Sequence, residues 1–389
     1  MITTQTRPTP LAIYIHWPFC KKKCPYCDFN SHVRDGVDMA AWRETLLAEL
    51  RYWHSQCAGH EVTSIFFGGG TPSLMEPAIA EALIREVQLL WPVAGDLEIT
   101  LEANPTSVEA ARFADLVRAG VNRFSLGIQS LRPEALKFLG REHSADEALR
   151  ALEIAMIHAR RVSFDLIYAL PDQSEDAWER ELREALALGT THLSLYQLTI
   201  EENTAFHHAY HHQHAFILPD DARAAALYQR TGSVTAERGL SAYEISNYAA
   251  AGEASRHNLA YWRGQAYLGI GPGAHGRVVV GNQRYATQNI KSPERWLSQA
   301  QLLHHGYEVM HALTPDEQRD EHILMGLRLL QEGCVLPAET LNLLRTKTAA
   351  LVQHGLLEFT DHAVRATAGG ALVLNSLTGA LIAALDENS

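Results

Sequence analysis

The chain has 389 residues, room for two or three domains of ordinary size or for one large α/β barrel with an appendage. Its 33 Lys and Arg against 45 Asp and Glu leave a net charge of −12, a field that repels a polyanion, so a dedicated nucleic-acid binder is disfavoured. Hydrophobic residues at 47% and charged residues at 20% exclude collagen-like, disordered and coiled-coil classes.

The first ten residues, rich in Thr and Pro, lack the charged and apolar regions of a secretory signal, which makes the cytoplasm the expected compartment. From residue 11 to about 200, short β-rich runs alternate with amphipathic stretches of helix length, the pattern of parallel strands joined by crossover helices. Strands are expected at Leu11–Trp17, Val62–Phe67, Leu97–Leu101, Arg123–Gly127, Val162–Tyr168 and His192–Leu198. Helices are expected at Met39–His54, Pro77–Leu90, Val108–Ala119, Ala145–Ala159 and Glu175–Leu188. Runs such as Ser64-Ile65-Phe66-Phe67 read as apolar on both faces, as for strands between covering helices and a barrel interior. The expected fold class is α/β: a partial or full (β/α) TIM-type barrel over residues 1–200, completed by residues 201–290.

Beyond residue 200 come a His-rich segment, a helix at Asp220–Arg238, a short strand at Tyr243–Tyr248 and a Gly-rich stretch at Gly264–Gly276. Residues 291–389 are expected to form a mainly helical unit. Within it, Leu336–His354 followed by Gly355–Thr360 and Val364–Thr367 reads as helices and a hairpin, the outline of a winged helix. Its mixed charge favours packing over nucleic-acid contact. Residues 366–385 carry no charge, but Gly369, Gly370 and Gly379 interrupt them, and Leu374, Leu377, Leu381 and Leu385 recur at helical spacing. That is an amphipathic helix and no transmembrane segment.

Chemistry concentrates where the first strand ends. Cys20, Cys24 and Cys27 stand at C-x3-C-x2-C spacing, and a total of five cysteines suits metal or cluster ligation better than disulfides. Three thiolates can hold three irons of a [4Fe-4S] cube and leave the fourth iron open to a small ligand. A zinc site would need a fourth protein ligand, which His16 or Asp28 could supply, and spacing alone leaves both readings open. Position at the tip of the first strand, where barrel enzymes keep their chemistry, favours the cluster. Cys57 and Cys334 stand alone and read as small buried apolar residues. The five imidazoles of His207–His214 read as a solvated loop, and Lys21–Lys23 as a solvated loop or a docking patch for an acidic electron donor.

These residues resemble the radical S-adenosylmethionine (SAM) superfamily, and further matches fall at successive strand ends: Gly68-Gly69-Gly70-Thr71-Pro72, Glu102 and Gln129. The resemblance implies that SAM chelates the open iron and that Tyr26 packs near its adenine. A glycine triplet would let backbone approach that ligand. Within the superfamily the chain looks like the oxygen-independent coproporphyrinogen III oxidase group, and most like its haem-chaperone branch. By that resemblance Tyr14, Tyr26, Gly69, Gly70, Thr71, Glu102, Gln129, Arg141 and Asp165 line the SAM cleft, with Glu102 on polar groups such as the ribose hydroxyls and Arg141 on a carboxylate.

Two departures separate the chain from the decarboxylase of the group. Phe29 stands where that enzyme carries a further cysteine, and only 19 residues precede Cys20. Conversely, His257-Asn258-Leu259-Ala260-Tyr261-Trp262 reproduces the H-N-x-x-Y-W signature of the haem-chaperone branch. A neutral imidazole ligates haem iron well and aromatic faces stack on a porphyrin, so His257 is expected as the iron ligand, with Asn258, Tyr261 and Trp262 around it. A satisfied polar turn with two core aromatics is the alternative. The implied function is a haem chaperone carrying a [4Fe-4S] cluster, SAM and haem, with a haem-acceptor protein, respiratory ones included, and an electron donor as partners. The rival is porphyrin biosynthesis by oxidative decarboxylation of coproporphyrinogen III.

Overall fold

Six parallel strands run side by side in chain order in the computed structural model, which describes residues 8–34 and 36–386. They are β1 (Thr9–Trp17), β2 (His60–Gly69), β3 (Val93–Ala103), β4 (Arg123–Gln129), β5 (Arg161–Tyr168) and β6 (His192–Gln197). The N-terminal expectation rests chiefly on residues 1–7, which lie outside the described residues. Helices α1 (Met39–Gln56), α2 (Pro77–Leu90), α3 (Ala145–His158) and α4 (Glu175–Ala187) supply crossovers. Their starts are written locally: Asp38, Ser144 and Ser174 accept first-turn N–H groups, and Glu147 completes a capping box with Ser144. The helix expected at Val108–Ala119 is instead two short ones, Ser107–Ala110 and Phe113–Arg118, separated where the Arg112 N–H turns tightly onto the Glu109 carbonyl.

The sheet is larger than the repeats predict. Strand β7 (Asn247–Ala249) joins β6 antiparallel, so the strand expected at Tyr243–Tyr248 is displaced to its far end. On the other side of β1 lies β8 (Ala266–Ile270), parallel to it, followed by the antiparallel β9 (His275–Val280), β10 (Gln283–Asn289) and β11 (Tyr307–Ala312). The two ends of this 12-stranded sheet do not pair, so the barrel is partial. A boundary at 290/291 falls inside it: β11 belongs to the sheet, and Trp296 of α7 (Pro293–Leu303) stacks on Trp42 of α1 with centroids 5.1 Å apart. The second core gathers Ile323, Leu341, Leu357, Val364, Leu377 and Leu381 around a three-stranded sheet. Its two helices, Ala338–Lys347 and Ala349–Gln353, precede the strands Leu357–Phe359 and Ala363–Ala366. The final helix, Leu374–Asp386, buries Leu374, Leu377, Leu381 and Leu385 as its spacing predicts. Among the described residues no helix is long and apolar enough to cross a membrane.

The strands are not apolar on both faces. Alternate residues of a strand point to opposite sides, and Ile13, Ile15, Ile65, Phe67, Leu101, Phe124 and Leu166 are buried in the large core that includes Trp42, Leu46 and Leu83 of the covering helices. Each such side chain stabilises the fold by about 1.5–3 kcal/mol. The opposite positions point into the barrel and are largely polar: Ser64, Glu98, Thr100, Arg123, Ser163, His192 and Ser194 are all buried. Buried polar atoms need partners, and many of these find them on one short helix, α6 (Arg256–Trp262), and the segment leading to it. Glu98 accepts from the hydroxyl of Ser255 and the N–H of His257, both at 3.3 Å, while pairing with Arg123 at 3.4 Å and Arg161 at 3.3 Å. The Asn258 side chain donates to the Tyr243 phenol, which also bonds His192, itself held by Ser163. Helix α6 thus plugs the lumen of the open barrel.

Candidate functional site

The three cysteines sit on a loop that continues β1. Strand residues Phe19 and Cys20 pair with His32 and Val33, and a turn bonds the Cys27 N–H to the Cys24 carbonyl. The glycine motif at the end of β2 holds this loop down. Gly70 donates its N–H to Trp17, Thr71 to Phe19, and Gly69 to the Glu102 carboxylate. A Cβ on Gly70 would come within 2.7 Å of the Phe19 carbonyl oxygen, and Gly69 has φ +114°, which a side chain disfavours. The glycines therefore seat the cysteine loop, and these three N–H groups are spent inside the protein rather than left for a ligand.

Each thiol has a donor beside it. Thr71 donates to Cys20 Sγ at 3.5 Å, Arg141 to Cys24 Sγ at 3.3 Å, and Ser31 Oγ lies 3.8 Å from Cys27 Sγ. Burial raises the Cys20 and Cys27 thiols. Zinc fits poorly. His16 has Nδ1 bonded to the Tyr14 phenol and Nε2 to the Asn30 carbonyl, and its pKa is lowered to about 4 by burial. Asp28 is exposed, and among the described residues no three His, Cys, Asp or Glu side chains close around one ion position. Cys57 and Cys334 are buried away from this loop, with thiols pushed up to about 12.

The thiols open onto a cavity of about 410 Å³ at the C-terminal ends of the strands. Tyr26, Gly69, Gly70, Thr71, Glu102, Gln129, Arg141 and Asp165 all line it with the cysteines, which brings together eight of the nine positions expected to face SAM. The Gln129 backbone has φ 72°, beside an irregularity in the pairing of β4 with β5, and so ends the strand on the cavity wall. Arg141 is fixed by Asn104 and the Gly127 carbonyl, while its buried Nε has no protein partner among the described residues. Ser125, Tyr196 and Gln197 also line the cavity; inward register in strands that alternate was the signal available for Ser125 and Tyr196, whereas Gln197 reaches the wall as the last residue of β6.

Two carboxyls face each other here. Burial, and then the nearby Asp165, push Glu102 up to about 8; burial likewise raises Asp165 to about 6 against hydrogen bonds from Ser194 and Ser125. A ligand bringing hydroxyls or positive charge would relieve them. Because the folded pKa of Glu102 lies above the usual carboxylate value of 4.5, the stability it lends is full below that pH and is lost as pH rises toward 8. Chemical denaturation of the ligand-free protein is expected to show that fall and Glu102→Gln to flatten it. Equal pH slopes for the two proteins would remove Glu102 as its source.

Tyr14 is the exception. It lines a second cavity, of about 370 Å³, together with His16, Asn30, Tyr261, Trp262, Tyr267, His275 and Met325. The two cavities share Gly69, Glu102 and Phe29 as walls. Of the four residues expected to face haem, Tyr261 and Trp262 reach this second cavity, but His257 and Asn258 do not. His257 is 1% exposed, stacks on Phe66, and has both ring nitrogens engaged, Nδ1 with Ser64 Oγ at 3.0 Å and Nε2 with the Tyr261 phenol at 2.8 Å. His257, the expected iron ligand, is thus enclosed in the lumen with both ring nitrogens bonded inside the protein, where it orients Tyr261. Asn258 likewise braces Tyr243. Of the His-rich segment, His207, His208 and His211 lie in a short helix, Ala205–His211, with His207 and His211 one turn apart at 4.5 Å between centroids, while His212 and His214 follow its end.

The comparisons with known proteins agree with this geometry. Residues 14–185 match the model of the radical SAM superfamily. The chain is 38% identical to the mitochondrial radical S-adenosyl methionine domain-containing protein 1 of Bos taurus, over 97% of its own length and 88% of the relative's. It is 45% identical to the heme chaperone HemW of Escherichia coli, over 71% and 72%, and 34% identical to that of Mycobacterium tuberculosis, over 96% and 95%. Among solved structures, the radical SAM enzyme coproporphyrinogen III oxidase (HemN) of Escherichia coli superposes with a TM-score of 0.78 at 22% identity, covering 97% of this chain and 91% of that one, a likeness of fold. With relatives of that similarity aligned over nearly its whole length, this chain belongs to the radical SAM superfamily, in the group that holds HemW and its mitochondrial relatives.

Proposed function

We propose that the protein is a haem chaperone: it binds haem, carries a [4Fe-4S] cluster and SAM, and passes the haem to an acceptor protein. The observation that carries this reading is the pair of cavities that meet at Glu102, one edged by three thiols and the other by Tyr261 and Trp262 of the H-N-x-x-Y-W segment. The similarity to heme chaperones over most of the chain supports it. Cys20, Cys24 and Cys27 would hold the cluster, which when bound supplies an electron to SAM and offers it an open iron. Glu102 and Asp165 would receive the polar groups of SAM, Arg141 its carboxylate, and Tyr26 would pack beside the adenine, with Gln129 and Thr71 completing the wall. Tyr14 takes no part in that wall; its phenol holds His16.

Oxidative decarboxylation of coproporphyrinogen III is the rival reading. The fold likeness to coproporphyrinogen III oxidase does not favour it, since at 22% identity fold alone is shared. Phe29, 57% exposed, stands on the wall common to both cavities where the enzyme carries a cysteine. The test is anaerobic incubation of the reconstituted protein with SAM, reductant and coproporphyrinogen III, beside a haem titration of the same sample. One haem per chain with no protoporphyrinogen IX is the expected result. Turnover above a no-protein control that is lost in Cys24→Ala would overturn the chaperone reading in favour of the decarboxylase.

A further inference from the structure

The second cavity has the chemistry of a metalloporphyrin cleft, and one of its residues has no other role in the structure. Its walls are aromatic: Tyr261 and Tyr267 meet edge to face at 4.4 Å, and Trp262, under the guanidinium of Arg328, presents an indole Nε1 with no protein partner among the described residues. Flat aromatic walls suit a planar ring, and such a ring in this protein also needs a ligand for its metal. Three imidazoles lie in or beside this cavity. His16 and His257 each have both nitrogens bonded inside the protein. His275 lines the cavity, is exposed, and has no side-chain hydrogen bond among the described residues.

The backbone around His275 is held far more firmly than an idle surface residue requires. It opens β9 directly after a turn whose groups are tied to three separate segments. Gly271 donates its N–H to the buried Glu49 at 2.8 Å, and the Pro272 carbonyl accepts from the Asn30 side chain at 3.0 Å. The Gly273 N–H reaches Ile290, and the Ala274 carbonyl accepts from Asn289. Glu49 also takes N–H groups from Gly306 and the Asn289 side chain, so one buried carboxyl pins three loops at this point. Rigid backbone and a free imidazole are what a metal ligand needs, because preorganisation removes the ordering cost at binding. Partial burial of the ring, and then the nearby Arg277 and Lys291, lower the pKa of His275 and favour its neutral, ligating form. Arg277 is paired with Glu321, whereas Lys291 is exposed and has no ion pair among the described residues, which leaves it for an anionic edge such as a propionate.

We infer that His275 is the iron ligand of the haem, seated in the cavity walled by Tyr261, Trp262 and Tyr267, and that Lys291 meets a propionate. The inference rests on the haem-chaperone reading and adds the site to it. The cavity adjoins the SAM side only through Gly69, Glu102 and Phe29, so the two ligands would lie on opposite sides of one carboxylate.

The test is a haem titration of full-length protein and three variants, followed by absorbance and EPR. His275→Ala should weaken haem binding at least about tenfold and shift the Soret band, and added imidazole should restore a ligated spectrum. His257→Gln, which keeps a hydrogen-bonding side chain in the lumen, should retain the wild-type Soret position. Replacing the five histidines of residues 207–214 should also leave it unchanged. Cluster content in His275→Ala should match the wild type, which separates loss of a ligand from loss of fold. If wild type binds one haem and His275→Ala binds it identically, the ligand assignment fails and the chaperone reading stands. If wild type takes up no stoichiometric haem, both fail.

Discussion

Cys24→Ala is expected to abolish the cluster: iron and acid-labile sulfide should fall from about four of each per chain to background after anaerobic reconstitution. The loss is total because three thiolates are the whole protein ligand set, and removing one leaves two irons without protein ligands. No neighbouring group can substitute. His16 is locked between Tyr14 and Asn30, and Arg141, which donates to Cys24 Sγ at 3.3 Å, is a cation that cannot ligate iron. Cys20→Ala and Cys27→Ala should behave alike, whereas Cys57→Ser and Cys334→Ser should keep the full complement, since both thiols are buried in apolar cores. Stoichiometric zinc without sulfide in the wild type would sink the cluster assignment.

The largest loss of stability is expected from Glu98→Ala, at about 3–5 kcal/mol by denaturant unfolding. Glu98 is 2% exposed and Arg123 is 3% exposed, so removing the carboxylate strands a guanidinium where water cannot reach it. Two further donors lose their acceptor at the same moment, the Ser255 hydroxyl and the His257 N–H. A loss of that size is a large fraction of the 5–15 kcal/mol that holds a typical domain together. The damage should also spread along α6 to Tyr261, so whatever binds the second cavity should bind more weakly. Adding Arg123→Met should recover part of the stability, because it removes the stranded charge. A cost below about 1 kcal/mol for Glu98→Ala would mean that the buried pair does not hold the lumen plug.

The cysteine spacing, the order of the six strands and most crossover helices are legible in the sequence because each is local. A thiol motif occupies eight residues, a strand pattern repeats every two, and a helix cap is decided within one turn. The same locality explains why the polar lumen was hidden. Leu97-Glu98-Ile99-Thr100-Leu101-Glu102 alternates plainly, but alternation says only that the two faces differ. Which face meets helices and which meets the barrel interior is decided by how the strands close, and an open barrel plugged by a polar helix reverses the usual expectation. The late strands β9 to β11 were likewise missed, because antiparallel strands half exposed at a sheet margin lack the apolar density of the parallel ones.

The histidines draw the line between the two sources of information most sharply. Composition and motif mark His257 as the residue to watch, since it opens a signature segment and imidazole is a good iron ligand. Sequence cannot register that Ser64, 193 positions away, takes its Nδ1, or that the Tyr261 phenol one helical turn on takes its Nε2. Whether an imidazole is a ligand or a strut depends on which of its lone pairs and protons are already spent, and those partners arrive only when distant strands and helices meet. The thiols, the glycine motif and the strand-end carboxylates were fixed by chemistry carried within single segments. That His257 has both ring nitrogens bonded inside the protein while His275 has neither bonded among the described residues was fixed by packing across the whole barrel.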